Sequence, residues 1–280
     1  MTTLGVLFQP HHPPEKLPEL ARIAEESGLA ELWITEDCFL NSGIAAASAA
    51  LACTQRLKVG LGILPVPLRN VALCAMEIAT MHRLSGGRAL IGIGHGVQEW
   101  MAQVGARPAS PLTLMREYAT SLRALLGGET VTTQGEYVTL ESVTLVSPPS
   151  SAPELMLGAT GPRSLALSGE LGDGTILAGG ITPAGVQTAR KHIAPAAPHE
   201  IVVFLKVAPR PQGPDHLRTD RERLRPGTAS ASGTAADIAE AIGEYAAAGA
   251  TRVVLEQAQG DPDVAAFVRL IAEEVQPLVA

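Results

Sequence analysis

The chain has 280 residues, 46% of them hydrophobic but only 3% aromatic, so it can bury a sizeable core, one that must be assembled from Ala, Leu, Ile and Val. A formal net charge of −7 without any block of Lys and Arg argues against nucleic acid or an acidic membrane surface as a partner. No apolar run reaches the roughly 18 residues of a membrane span, no charged leader precedes an apolar segment, and Cys38, Cys53 and Cys74 lack metal-ligand or CxxC spacing; the expectation is a cytoplasmic protein with neither a disulfide scaffold nor a metal site.

In chain order, "TLGVLF" (residues 3–8) predicts a strand, and "EKLPELARIAEESG" predicts a helix with Leu17, Leu20, Ala21 and Ala24 on one face and Gly28 as its stop. "AELWIT" (30–35) leads to an Ala-rich helix near 44–54, and "LKVGLGIL" (57–64) leads through "PVPLRN" to a helix over 71–84. "RALIGIG" precedes the helix "LTLMREYATSLRALLGG", "PELMLGA" precedes "GPRSLALSGELG", and "GTILAGG" precedes "TPAGVQTARKHI". Strands at 200–207 and 251–257 complete a count of eight. This alternation predicts an α/β fold, a closed (β/α)8 TIM barrel running as one domain over 1–280. Two stretches depart from it. Residues 129–147 have strand propensity around a Gln134-Gly135 turn and predict an inserted β-hairpin, whereas about 208–232 is polar, rich in Pro and Arg, and predicts a loop.

In such a barrel the chemistry collects where the strands end. "IGIGHG" puts Gly94, His95 and Gly96 at the end of the fourth strand, where missing side chains let a flat ligand approach the backbone. "LGATGPRS" puts Ala159, Thr160 and Gly161 before a helix whose free N–H groups, with the Thr160 hydroxyl and Arg163, make a phosphate site. "LAGG" brings Gly179 and Gly180 to the neighbouring rim.

From "FQPHHPPEKLPELARIAEESGLAELWITEDCF" through "LGILPVPLRN", "SGGRALIGIGHGVQEW" and "LGATGPRSLALSGELGDGTILAGG", the chain resembles the luciferase-like monooxygenase superfamily, in its branch of flavin- and deazaflavin-dependent oxidoreductases. The resemblance implies a luciferase-like TIM barrel whose rim holds the ring of coenzyme F420 or, alternatively, FMN. It places a cis peptide in a bulge at Gly62 and Ile63, behind the ring, and sets Glu36 and Asp37 near the ring's polar edge or the substrate. Where some deazaflavin enzymes of the family carry an acid, this chain has Val97, which leaves His95 as the available proton donor, with Glu36 the next candidate.

The expected activity is hydride transfer between F420 and a small organic substrate, in a homodimer. An FMN-dependent monooxygenase and a non-catalytic flavin-binding barrel remain the alternatives. His11, His12, Glu99 and Trp100 are expected to wall the site, and Arg69 is a candidate for the cofactor's phosphate tail.

Overall fold

A computed structural model of the protein describes residues 2–209, 230–258 and 263–279. Eight parallel strands close into a ring in the order β1 (Thr3–Phe8), β2 (Glu31–Ile34), β3 (Lys58–Pro65), β4 (Ala89–Gly94), β7 (Leu155–Ala159), β8 (Gly174–Leu177), β9 (Glu200–Pro209) and β11 (Arg252–Gln257). The strands between β4 and β7 in sequence, β5 (Val131–Gln134) and β6 (Thr139–Val143), form the antiparallel hairpin. Helices α1 (Leu17–Glu26), α2 (Gly43–Ala52), α3 (Val71–Leu84), α4 (Gln98–Gln103), α5 (Pro111–Leu126), α6 (Pro162–Leu171) and α7 (Pro183–Ile193) follow their strands outside the ring, as does the helix Ala235–Ala248. Strands covered on both faces read as continuous apolar runs, which is why the eight were legible.

Of the polar stretch at 208–232, residues 210–229 lie outside the described residues. Its end is not loop: Ser230–Gly233 forms β10, paired in parallel with Lys206–Pro209 of β9. Ser, Ala and Gly in this strand carry too little apolar periodicity to announce it.

The barrel interior is a small cluster of its own, containing Leu7, Trp33, Leu90, Met156, Ile176, Val202, Phe204 and Val254. Trp33 fills the middle, edge-on to Phe204 at 6.0 Å between ring centroids. Glycines make the space for it, since a Cβ on Gly60 would stand 2.4 Å from Trp33 Cδ2 and one on Gly5 2.8 Å from Cδ1. The larger core, rich in Ala, Leu, Ile and Val as composition required, lies between ring and helices.

At the amino end of the ring, buried Arg252 reaches Glu31 (3.1 Å), Glu154 (3.2 Å) and Glu200 (3.3 Å), and Trp33 Nε1 donates to Glu31 at 2.8 Å. This network is a plug on the face opposite the site. The hairpin is fixed by Glu117 of α5, whose carboxylate accepts the backbone N–H groups of Glu136, Tyr137 and Val138.

Candidate active site

The carboxyl ends of the strands surround a cavity of about 670 Å³, a size usual for small-molecule and cofactor sites. Its floor is Leu7, Ile176 and Phe204, the upper layer of the barrel interior. On one wall β3 bulges: between the pairs Leu61–Ile91 and Leu64–Ile93, two residues of β3 oppose one of β4, and the peptide joining Gly62 and Ile63 is cis.

Of the residues singled out from sequence, Glu36, Asp37, Gly62, Ile63, Gly94, His95, Gly96, Ala159, Thr160 and Gly179 line this cavity together. Gly180 lines an adjoining groove between α6 and α7, which shares Ala159, Thr160 and Gly179 with the cavity. Gly161 lines neither and stands at the N-cap of α6. His11 and Trp100 also line the cavity, whereas His12 and Glu99 do not.

The glycines around the bulge have a steric reason that sequence could not supply. A Cβ on Gly94 would fall 2.8 Å from Ile63 Cγ1, and one on Gly158 would fall 3.1 Å from Ile63 Cγ2. Both vacancies are therefore taken by Ile63, which is held up toward the cavity as an apolar platform. Gly96 turns the chain off the strand at φ +68°, a conformation glycine reaches without a Cβ penalty. Among the described residues, nothing lies within 4 Å of where a Cβ on Gly161 or Gly179 would stand.

α2, α3, α5 and α7 begin with side-chain caps from Ser42, Asn70, Ser110 and Thr182, whereas α6, like α1 and α4, begins with none, its N-cap being Gly161. Its first-turn N–H groups therefore remain available to an anion beside Thr160.

Glu36, Asp37 and His95 differ sharply in surroundings. Glu36 has both carboxylate oxygens committed: Arg69 pairs with Oε1 and Oε2, the second at 2.8 Å, and the Gly43 N–H at the start of α2 donates to Oε2 at 2.7 Å. Arg69 also reaches Glu77 at 3.1 Å, so it is tied to two carboxylates on this rim rather than offered to a phosphate. Among the described residues the Asp37 carboxylate receives only the Thr35 hydroxyl, at 3.4 Å, and burial raises its pKa above the ordinary 3.8. His95 Nε2 lies 3.2 Å from Ser164 Oγ in α6, and burial lowers its pKa below 6.5.

Sequence reading missed the opposite wall. Gln9 and Glu256, from the ends of β1 and β11, line the cavity, and Gln9 Nε2 donates to the Gln257 carbonyl at 2.5 Å and to Glu256 at 3.3 Å. Lys206 of β9 pairs with Glu256 at 3.3 Å. The signal was present as single polar residues closing apolar strands, in "LFQ", "FLK" and "VLEQ".

A family profile described as luciferase-like monooxygenase matches residues 2–211. The 5,10-methylenetetrahydromethanopterin reductase of Methanolobus tindarius is 33% identical over 196 residues, 70% of this chain and 59% of that protein. The F420-dependent glucose-6-phosphate dehydrogenase of Kineococcus radiotolerans is 31% identical over 179 residues, 60% of this chain and 53% of that protein. The matches thus span little more than half the length of these curated relatives. Among solved structures, the coenzyme F420-dependent tetrahydromethanopterin reductase of Methanopyrus kandleri superimposes with a TM-score of 0.86 at 20% identity, covering 100% of this chain and 99% of that one. With the family profile spanning most of the sequence and the barrel closing as the family's does, the chain belongs to the luciferase-like monooxygenase family.

Proposed function

We propose that the protein is an oxidoreductase that uses coenzyme F420 for hydride transfer to or from a small organic substrate. The observation that carries this reading is the pairing of a glycine-walled apolar platform at Ile63 with an uncapped helix start at Gly161, on one rim. F420 needs both a flat apolar seat for its ring and donors for its phosphate, and the residues present suit both. Relatives named for F420-dependent activity support the choice over FMN.

Bound F420 would supply a ring carbon that gives or takes hydride, and the chain's residues do the rest. Gly62 and Ile63 would carry one ring face, leaving the other toward Gln9, Glu256 and the substrate. Thr160, Gly161 and the first turn of α6 would hold the phosphate, while Gly179 and Gly180 admit the tail to the α6–α7 groove. For proton transfer we assign Asp37 ahead of Glu36 and His95. Its burial favours the protonated form, and among the described residues no cation or backbone donor locks its carboxylate oxygens, as Arg69 and Gly43 lock those of Glu36.

The reading also takes residues 1–280 as one domain, acting as a homodimer in the cytoplasm; Leu73 and Met76, exposed on α3, support a partner surface. Titrating the purified protein with F420 and with FMN, followed by their fluorescence, tests the cofactor. Micromolar or tighter F420 binding with weaker FMN binding is expected. Tighter FMN binding would make the protein a monooxygenase candidate, and binding without turnover across substrate panels would favour the non-catalytic barrel.

A further inference from the structure

We propose that His95 is a positioning residue, a clasp that ties the carboxyl end of β4 to the first turn of α6 and sets the spacing between the Ile63 platform and the helix start. The consequence for cofactor binding rests on the function proposed above, but the clasp is a property of the protein without ligand.

Strand parity gives the direction. Gly92 and Gly94 turn inward, since a Cβ on Gly92 would meet Leu61 O at 2.3 Å and Ile176 Cδ1 at 2.4 Å, and one on Gly94 would meet Ile63. Ile91 and Ile93 turn outward, into the core between ring and helices. His95 follows the last strand residue on the same parity as Ile91 and Ile93; it lines the cavity, and its ring reaches α6. Its Nε2 accordingly meets Ser164 Oγ at 3.2 Å, a link across 69 residues of sequence. Ser164 is the third residue of α6, one turn from Gly161.

The loop carrying His95 is itself held. Gln98 Nε2 donates to the His95 carbonyl at 3.1 Å, and Gly96 turns the chain away immediately after. Burial, opposed by the Pro111 carbonyl at the start of α5, lowers the His95 pKa and favours the neutral ring, whose two nitrogens differ, one able to donate and the other to accept. A ring fixed this way holds two cofactor-facing segments in register. β4 supplies Gly94 against Ile63, and α6 supplies the uncapped N–H groups. Misplacing one against the other by an ångström is enough to weaken a ligand that must reach both.

The test uses the full-length protein carrying His95→Ala, Ser164→Ala, the double replacement, or His95→Gln. Hydrogen exchange of residues 162–168 is read without added cofactor, and F420 affinity is read by fluorescence titration. Each single alanine variant should exchange faster at 162–168 while the hairpin at 131–143 keeps its protection, and should bind F420 about 2- to 12-fold more weakly, the worth of one net hydrogen bond. The double variant should be no worse than either single one, because both remove the same bond. His95→Gln, whose amide nitrogen can reach the Nε2 position, should restore protection and affinity. Unchanged exchange in both single variants, additive losses in the double, or failure of His95→Gln to rescue would each overturn the clasp. If the unmodified protein does not bind F420, the proposed function fails while the exchange comparison still decides the clasp.

Discussion

Adding one methyl at Gly94 is the most direct probe of the site. In Gly94→Ala the new Cβ would stand 2.8 Å from Ile63 Cγ1 and 2.9 Å from Cδ1, closer than real Cβ contacts allow. Ile63 has to give way. Gly158 backs its Cγ2 side, where an added Cβ would stand 3.1 Å away, and the 670 Å³ cavity that Ile63 lines offers room to shift. Without ligand the side chain can lean into that space, and the stability loss should stay near the lower end of the roughly 1–3 kcal/mol that overpacking costs. With the ring seated, the escape is closed and the cost falls on binding. At about 1.4 kcal/mol per factor of ten, 1–3 kcal/mol weakens F420 binding by about 5- to 150-fold. Fluorescence titration measures the affinity, and thermal unfolding without ligand measures the fold. Gly179→Ala is the control: its Cβ meets nothing within 4 Å, so stability should not change, and any loss of affinity reports a ligand passing that rim. A Gly94→Ala protein that binds F420 like the parent would refute the assignment of Ile63 as the ring's seat.

Three further outcomes follow from the packing and charge. Arg252→Ala strands Glu31, which is 2% exposed, and should cost about 3–5 kcal/mol in urea unfolding, whereas Arg252→Met paired with Glu31→Leu should recover most of it. Because burial raises the Asp37 pKa, its contribution is fully present below pH 3.8 and is lost as pH rises through the folded value; Asp37→Asn should therefore match the parent's stability near pH 3 and exceed it at pH 8, and a variant less stable at pH 8 would contradict the buried-carboxyl reading. Gly60→Ala drives a Cβ to within 2.4 Å of the fully buried Trp33 and should destabilise the fold by about 1–3 kcal/mol or prevent its accumulation, as judged by calorimetry and near-ultraviolet circular dichroism.

What the sequence determined by itself is what is written locally. Eight apolar runs became the eight ring strands, because a strand covered on both faces needs little beyond its own continuity. Helix starts at Ser42, Asn70 and Ser110 are set by side chains bonding N–H groups two or three residues on, so they too are legible one window at a time. Rim glycines and the resemblance pointed to the carboxyl ends of the strands, and Glu36, Asp37, His95 and Gln9 line one cavity there.

The division of labour among those residues came only from tertiary structure. Glu36 looks as free as Asp37 until Arg69, 33 residues away, takes its carboxylate. Gly94 can be read from sequence as a ligand clearance, but that it also makes room for Ile63 is visible only in the structure. His95 lines the cavity, but its Nε2 contact with Ser164 of α6 cannot be read from sequence, and Arg252 looks like an ordinary surface cation until closure of the ring brings it to Glu31 across 221 residues. Each of these partnerships depends on which strands become neighbours and which way each side chain points once the ring has closed. The pattern of apolar residues sets which segments are buried, but the energy of a charge, a hydrogen bond or a vacant Cβ position depends on the atoms within a few ångströms, and only the closed barrel supplies those.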